Sequence, residues 1–298
     1  MDKIIRAISK DKKFIAIAAE TGALVAEADE KFSLSPAIKI LFGRALTAAA
    51  MIGITLKGEN ESLAYRFDGG IKMTVAANMK GEVKGIVSSP SWMPRENEPL
   101  GSAFGKNGNL TVIKDLGLKE PYSGQIPLVN GEIAADITDY YQKSEQTPFC
   151  CSLGVLLDRE SEDLSVKAAG GFVVWAMPGC EEELLKKLDE NIAVLPNVTA
   201  MLESGMTATD ILKAALHGFD FDVTETVTPK YHCDCTREKI ELMLLTLPEE
   251  ELSRLKEDEV TEVVCHWCNT KYCFTKADLE MYLRVKKREK EIREKNAR

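Results

Sequence analysis

Two closely spaced cysteine pairs near the carboxyl-terminal end constrain this chain more than any other feature of its sequence. The first pair lies in YHCDC and comprises Cys233 and Cys235; the second lies in CHWC and comprises Cys265 and Cys268. Small tetrahedral metal sites are built from such pairs, each on its own turn, and thiolates are favoured ligands of zinc. The four side chains therefore predict one zinc ion per chain and a fold in which the two turns meet.

The single residue between the first two cysteines leaves two uses of the site open. Structural zinc sites usually separate paired cysteines by two to four residues, whereas a pair this close can also form a disulfide if the backbone adjusts. Zinc holds its ligands as thiolates, the form that oxidants attack, and a small segment that loses its metal should unfold. The spacing alone favours a permanent structural zinc, with a thiol switch as the alternative.

The composition is that of a globular protein. The 298 residues are 45% hydrophobic and 29% charged, and no continuous apolar run has the length that a bilayer span needs. A formal net charge of −9 argues against nucleic acid as the main partner. Because the amino-terminal segment lacks the apolar core of a signal peptide, we expect a cytoplasmic protein with no membrane partner, whose eight cysteines stay reduced.

Turn signals and apolar periodicity divide the chain into three parts. Residues 1–178 combine predicted strands, joined mostly by tight turns, with a helix that Ser35 caps and Pro36 begins; we expect an α+β domain with a mostly antiparallel sheet and packed helices. Residues 179–228 carry apolar positions at helical spacing and predict a helical linker, with its apolar stripes buried against that sheet. Residues 229–298 hold the four cysteines and two further predicted helices, and predict a small zinc-binding domain.

Two local predictions concern other residues. Thr21 and Gly22 follow an alternating apolar run and are typical of a hairpin turn. Four additional cysteines lie in apparent strands or beside aromatic residues, so we expect burial to raise their pKa and to keep them out of redox chemistry. These residues are Cys150, Cys151, Cys180 and Cys273.

The motifs do not indicate an enzyme. GSAFGKN, at 101–107, resembles a phosphate-binding loop but has the wrong glycine spacing and lacks the required Ser or Thr. None of the three histidines lies in residues 1–178, which argues against Ser–His or Cys–His catalysis there. His232 and His266 lie beside the cysteine pairs, but four cysteines already complete a tetrahedral shell, so we expect neither histidine to bind the metal.

Six segments spread along the chain match a known family: GRALTA (43–48), LTVIKDLGLKEPYSGQIPLVNGEIAADI (110–137), YYQKSEQTP (140–148), AAGGFVVWAMPG (168–179), CDCTREK and CHWCNTKYCF. On these segments, and over nearly its whole length, the chain resembles the 33 kDa heat-shock protein family, redox-regulated chaperones of the bacterial cytosol. The four additional cysteines depart from the family pattern.

The resemblance implies a specific cycle for the cysteines. In the reduced, inactive protein, the four paired cysteines would ligate zinc; these are Cys233, Cys235, Cys265 and Cys268. On oxidation, Cys233 would bond to Cys235 and Cys265 to Cys268, with release of the metal. The linker would then lose structure, and the active form would dimerise and hold unfolding client proteins without ATP.

Two other classes of function remain as alternatives. One is a zinc-ribbon module with permanent zinc that binds a protein or RNA, although the acidic run EDEVTE (257–262) before the second pair disfavours RNA. The other is a thiol oxidoreductase, which a turnover assay with small disulfides would test.

Overall fold

The computed structural model describes residues 1–296 and contains two compact units, with the boundary between His232 and Cys233. The last two residues of the predicted zinc-binding domain lie outside this range. In chain order the first unit contains β1 (Lys3–Ser9), β2 (Phe14–Glu20), α1 (Gly22–Phe32), α2 (Pro36–Gly53), β3 (Ser62–Asp68), β4 (Met73–Ala77), β5 (Glu82–Val87), a 3₁₀ helix (Leu100–Phe104), β6 (Asn109–Asp115), β7 (Tyr122–Pro127), α3 (Ala134–Ser144), β8 (Phe149–Leu157), β9 (Val166–Ala176), α4 (Glu182–Ala193), α5 (Val198–Glu203), α6 (Ala208–Ala215), β10 (Phe221–Val227) and β11 (Lys230–Tyr231). Sheets and packed helices together confirm the predicted α+β class.

One sheet has the strand order β10–β1–β2–β9–β8, and every neighbouring pair in it is antiparallel. Six of the seven residues of β2 are buried, so its side chains are covered on both faces of the sheet. Helices α2 and α6 both pack against this strand. The sheet therefore forms the middle layer of the unit, and β10 is one of its two edges.

The second sheet has the order β11–β5–β4–β3–β6–β7 and is antiparallel except for the short parallel pair between β11 and β5. The buried side chain of Tyr231 fixes β11 to this sheet. Its hydroxyl accepts from the Gly85 N–H at 3.1 Å and donates to the Gly85 carbonyl at 2.9 Å. The ring also lies edge-on to Phe32. The first unit thus contains a firmly held residue two positions before Cys233.

Helix α2 packs against strands of both sheets. As predicted, it is capped by Ser35, whose Oγ accepts from the Ile38 N–H at 3.4 Å, and Pro36 occupies its first turn. By length and composition alone this helix could cross a membrane, but 83% of it is buried inside the protein. It is a core helix of the first unit.

Helices α4, α5 and α6 cover one face of the β10–β1–β2–β9–β8 sheet. Their apolar stripes are buried there, as predicted from their spacing. A capping box between Thr207 and Asp210 begins α6. The buried residues are Leu188, Val198, Met201, Ala208, Ile211, Leu212, Ala215 and Leu216 from the helical segment, and Ile5, Ala7, Phe14, Ala16, Ala18, Phe172, Val174 and Ala176 from the strands.

Two features differ from the local predictions. Thr21 and Gly22 do not form a hairpin; they begin α1, and the hairpin between β1 and β2 lies earlier, where Lys12 has a φ of 59°. Within 179–228, the predicted helical linker also contains the strand β10. Its sequence FDVTETV has apolar residues only at 221, 223 and 227, and because it lies at an exposed edge none of its side chains is buried.

The second unit has its own small core. It contains α7 (Arg237–Thr246), α8 (Glu249–Leu255), β12 (Val260–Val264), β13 (Lys271–Thr275) and α9 (Lys276–Asn296), and β12 pairs with β13 in an antiparallel hairpin. The predicted helices α7 and α8 are both present. The core consists of Ile240, Leu244, Leu252, Phe274, Leu279 and Tyr282, with partly buried neighbours.

Candidate metal centre

The four paired cysteines converge in the second unit. All four Sγ atoms lie within 4.8 Å of one another. The Sγ atoms of Cys233 and Cys265 are 3.8 Å apart, and those of Cys235 and Cys268 are 3.3 Å apart. A tetrahedron of sulfurs around zinc, at a bond length of about 2.3 Å, has edges of about 3.8 Å. The cysteines are all free, so the group fits a tetrahedral metal ion rather than a pair of disulfides.

The second pair lies on the turn that joins β12 to β13. The Cys265 carbonyl accepts from the Cys268 N–H at 3.4 Å and from the Asn269 N–H at 2.8 Å, while the Cys265 N–H donates to the Thr270 carbonyl at 2.9 Å. Asn269 has a φ of 58°, a left-handed conformation that Asn adopts more readily than most residues. This turn directs both sulfurs to the same point and explains the sequence CHWCNT.

The first pair lies between β11 and α7. Thr236 caps α7 through its side chain, which accepts from the Lys239 N–H. The Tyr272 hydroxyl lies 3.1 Å from the Cys235 carbonyl and 3.2 Å from its sulfur, and can donate to either. Tyr272 therefore orients Cys235 from outside the group of sulfurs. Sequence reasoning did not identify Tyr272 as part of the site; its only signal was its proximity to the second pair.

The surroundings of Cys268 favour its thiolate, whereas those of Cys233 and Cys265 oppose ionisation. Burial opposes ionisation of Cys268, but hydrogen bonds from the side chain and backbone of Thr270 and from neighbouring cysteines outweigh it, and lower its pKa to about 7. Burial raises the pKa of both Cys233 and Cys265. Without a cation, Cys268 therefore ionises more readily than Cys233 or Cys265. A divalent ion would supply the charge that lets the other sulfurs ionise.

The remaining candidate residues lie outside this group. Among the described residues, the metal-ligating cluster contains only the four paired cysteines, so neither His232 nor His266 is part of it. Cys151 is buried, whereas Cys150 and Cys180 are partly buried. The prediction that Cys273 is buried was wrong: it lies on β13, a strand with one exposed face, and is itself exposed.

Fold and site together define a class: an α+β protein whose separate carboxyl-terminal unit carries a four-cysteine group suited to a metal ion. The family model described as Hsp33 protein matches residues 2–275. The chain belongs to the Hsp33 family, which confirms the resemblance in its sequence.

Relatives match along nearly the whole chain. The 33 kDa chaperonin of Clostridium botulinum (strain Eklund 17B) is 41% identical over 291 residues, covering 95% of this chain and 98% of the relative. That of Clostridium perfringens (strain SM101) is 42% identical over 296 residues, covering 96% and 93%. The crystal structure of the 33 kDa chaperonin from Thermotoga maritima superposes with a TM-score of 0.88 at 34% identity, covering 95% of this chain and 98% of that one.

Proposed function

We propose that this protein is a redox-regulated, ATP-independent chaperone that holds unfolding proteins in the cytoplasm during oxidative stress, and that it is not an enzyme. The observation that carries the proposal is the group of four reduced cysteines at metal-site distances in a chain of the Hsp33 family. The name 33 kDa chaperonin, shared by the relatives, supports the chaperone class.

In the resting state, Cys233, Cys235, Cys265 and Cys268 hold one zinc ion. Zinc favours thiolates and a closed tetrahedral shell, and it would fasten the two turns of the second unit to each other. Tyr272 and Thr270 keep Cys235 and Cys268 oriented toward that shell through their hydroxyl groups.

Oxidation by a peroxide breaks this shell in two equivalent steps. In each, a thiolate attacks one peroxide oxygen, the O–O bond breaks, hydroxide leaves, and the sulfur becomes a sulfenic acid. The neighbouring thiol then attacks that sulfur, and its proton leaves with the sulfenic hydroxyl group as water while the disulfide forms. Each bridge thus consumes one peroxide and delivers two electrons to it. Cys233 pairs with Cys235, and Cys265 pairs with Cys268.

The pairing decides whether the switch opens. The short sulfur–sulfur distances of 3.8 and 3.3 Å join the first pair to the second. Disulfides formed across these contacts would keep the two turns together, as the metal does. Local bridges leave the turns free to separate. We therefore expect peptide mapping of the active form to find the two local bridges, and crossed bridges to mark inactive protein.

Loss of the metal then spreads to the rest of the chain. The core of the second unit is small, so it should unfold without its metal. Residues 179–228 act as the linker: the helices α4–α6 leave the sheet, and the apolar face beneath them becomes available to clients and to a second copy. The active form is thus a homodimer that binds unfolded proteins.

Zinc content and suppression of client aggregation, measured before and after peroxide treatment, test the proposal. We expect one zinc per chain and little suppression in the reduced protein, then zinc release and strong suppression after oxidation, with ATP making no difference. Zinc that stays bound through oxidation would instead indicate a permanent structural site, as in a zinc-ribbon interaction module.

A further inference from the structure

The edge strand β10 covers a more apolar strand, β1. β10 carries the acidic residues Asp222 and Glu225 and no basic residue, and all seven of its side chains are exposed or only partly buried. In β1, KIIRAIS, four of seven side chains are buried and there is no acidic residue. Charged residues on an edge strand resist pairing with other chains, whereas an uncovered apolar edge invites it. We call β10 the guard strand.

The centre of the guard strand is held weakly. Its pairing with β1 shifts register between Arg6 and Ala7, which marks a bulge. The ion pair between Arg6 and Glu225 is 3.8 Å long and partly exposed, so it adds little. The side chain of Val223 is half exposed. Phe221 and Val227 are partly buried and Phe221 packs against the core beneath α4–α6, so the apolar area that this strand loses on leaving the sheet comes from its two ends rather than from its centre.

The register shows which backbone groups of β1 the guard strand covers. The Lys10 N–H donates to the Asp220 carbonyl at 2.8 Å, in line with the pairing of Ile8 and Asp222. Because the hydrogen-bonding groups of an antiparallel strand alternate between its two neighbours, the even-numbered residues of β1 bond to the guard strand and the odd-numbered ones to β2. Ile4, Arg6 and Ile8 are the even-numbered residues, and Ile5 and Ala7 are odd-numbered residues that serve as internal controls.

We infer that the edge of β1 is the client-binding site of the active protein, and that it takes an extended segment of an unfolded protein as an added antiparallel strand in place of the guard strand. This inference rests on the proposed function, because it takes the release of residues 179–228 as the event that frees the edge. The guard strand belongs to that segment and supplies the model for the occupant, since it already pairs with β1 in this geometry.

The neighbouring surface fixes the chemistry of the occupant. Ile5 and Ala7 project from β1 into the apolar face that α4–α6 cover at rest, together with Phe14, Ala16 and Phe172. A strand added beside β1 continues this face with every second side chain. The occupant is therefore a segment with apolar residues at alternate positions, bound by backbone hydrogen bonds that depend little on its sequence.

Hydrogen exchange of individual β1 amides in the full-length protein tests the inference. The probe is reduced and carboxymethylated α-lactalbumin, which is permanently unfolded. We expect peroxide treatment to remove the protection of Ile4, Arg6 and Ile8, and bound probe to slow their exchange again by about tenfold. Ile5 and Ala7 should stay protected throughout, because their partner is β2.

Three results would overturn the inference. The even-numbered amides could keep their protection after oxidation; they could stay unprotected in protein that holds the probe; or they could regain protection without the probe as protein concentration rises, which would make the occupant a second copy. Failure of the proposed function looks different: the oxidised protein would not suppress aggregation at all.

Proline variants of the guard strand test the edge without any oxidant. Asp222→Pro removes the hydrogen bond from the backbone N–H of residue 222 to Ile8. Val223→Pro is the control, because the backbone N–H that this proline removes points to solvent. Apparent affinity scales with the fraction of molecules whose edge is open, so reduced, zinc-loaded Asp222→Pro should bind the probe about tenfold more tightly than Val223→Pro. Equal affinities, in variants whose exchange shows that only Asp222→Pro has opened the edge, would refute the inference.

Discussion

Cys268 is the residue on which the metal centre depends most directly, because its sulfur contacts both Cys235 and Thr270. We expect Cys268→Ser to lose the tightly bound zinc, since a neutral hydroxyl is a poor zinc ligand. Cys273→Ser is the matched control, because Cys273 is exposed and outside the group. Chelator titration of both reduced variants measures the effect. One zinc per chain with unchanged affinity in Cys268→Ser would contradict the ligand assignment.

Cys150 is expected to be a slow thiol. Burial, with a smaller contribution from Asp189, raises its pKa to about 11 from an ordinary 9.0. Alkylation requires the thiolate, so at about pH 8 Cys150 should react far more slowly than the exposed Cys273, and its rate should rise toward about pH 11. Site-resolved mass spectrometry across this range gives both rates. Equal rates at about pH 8 would show that burial does not protect Cys150.

The same shift has a consequence for stability. Between about pH 9 and pH 11, the unfolded chain would have lost the Cys150 proton while the folded chain keeps it. Unfolding therefore becomes easier as pH rises through this window, and below it the thiol makes no pH-dependent contribution. A variant with Cys150 replaced by Ala should show a shallower alkaline loss of stability than the parent.

Among the helices, α6 is expected to set how firmly the linker is docked. Leu212 is fully buried against the sheet, whereas its neighbour Lys213 is exposed. Leu212→Ala should lower the free energy of docking by about 2–5 kcal/mol, because it leaves a cavity in the packed interface. Lys213→Ala should change little.

We therefore expect reduced Leu212→Ala protein to suppress aggregation with its zinc still bound, and Lys213→Ala to behave like the parent. Aggregation assays with parallel zinc measurements separate the two cases. A Leu212→Ala variant that is destabilised in thermal unfolding yet inactive until oxidised would show that linker docking does not control activity.

The elements that sequence reasoning predicted well have strong local signals. Ser35 and Pro36 mark the start of α2, and the Thr207 capping box marks that of α6. Sequence reasoning failed where contacts with distant parts of the chain determine the local structure. Thr21 and Gly22 begin a helix although TG is typical of a turn, and β10 depends on pairing with a strand more than 200 residues earlier. Such non-local pairing leaves little trace in a polar sequence.

The candidate site was more predictable than the fold around it. Four cysteines in two close pairs have few arrangements other than a shared metal, so their meeting followed from spacing and chemistry. The contribution of Tyr272 did not, because the hydrogen bond of its hydroxyl to Cys235 depends on how the β12–β13 hairpin meets the chain before α7. The exposure of Cys273 was missed for a related reason: strand residues alternate between faces, and aromatic neighbours do not reveal which face is covered.

For the whole molecule, we expect oxidation to divide the chain into a part that loses its hydrogen-exchange protection and a part that keeps it. Hydrogen exchange of the peroxide-treated protein should show lost protection from residue 182 onward, including β11. Protection should persist in β2, β9 and the strands β3–β7, whose packing does not involve the linker helices alone. Unchanged protection across α4–α6, in protein that suppresses aggregation, would show that the linker is not the gate.

Tyr231 gives this switch a threshold. It lies between the cysteine pairs and the guard strand, so an unfolding that travels back along the chain from Cys233 must first withdraw its buried ring and break its two bonds to Gly85. The free-energy cost is on the order of 4 kcal/mol, which corresponds to about a thousandfold in population. A molecule that has lost its metal but keeps Tyr231 docked therefore holds its sheet edge closed, and the edge opens only where the disordering of the second unit and of the linker outweighs this cost. The tyrosine thus sets a threshold in free energy between an empty metal site and an exposed sheet edge.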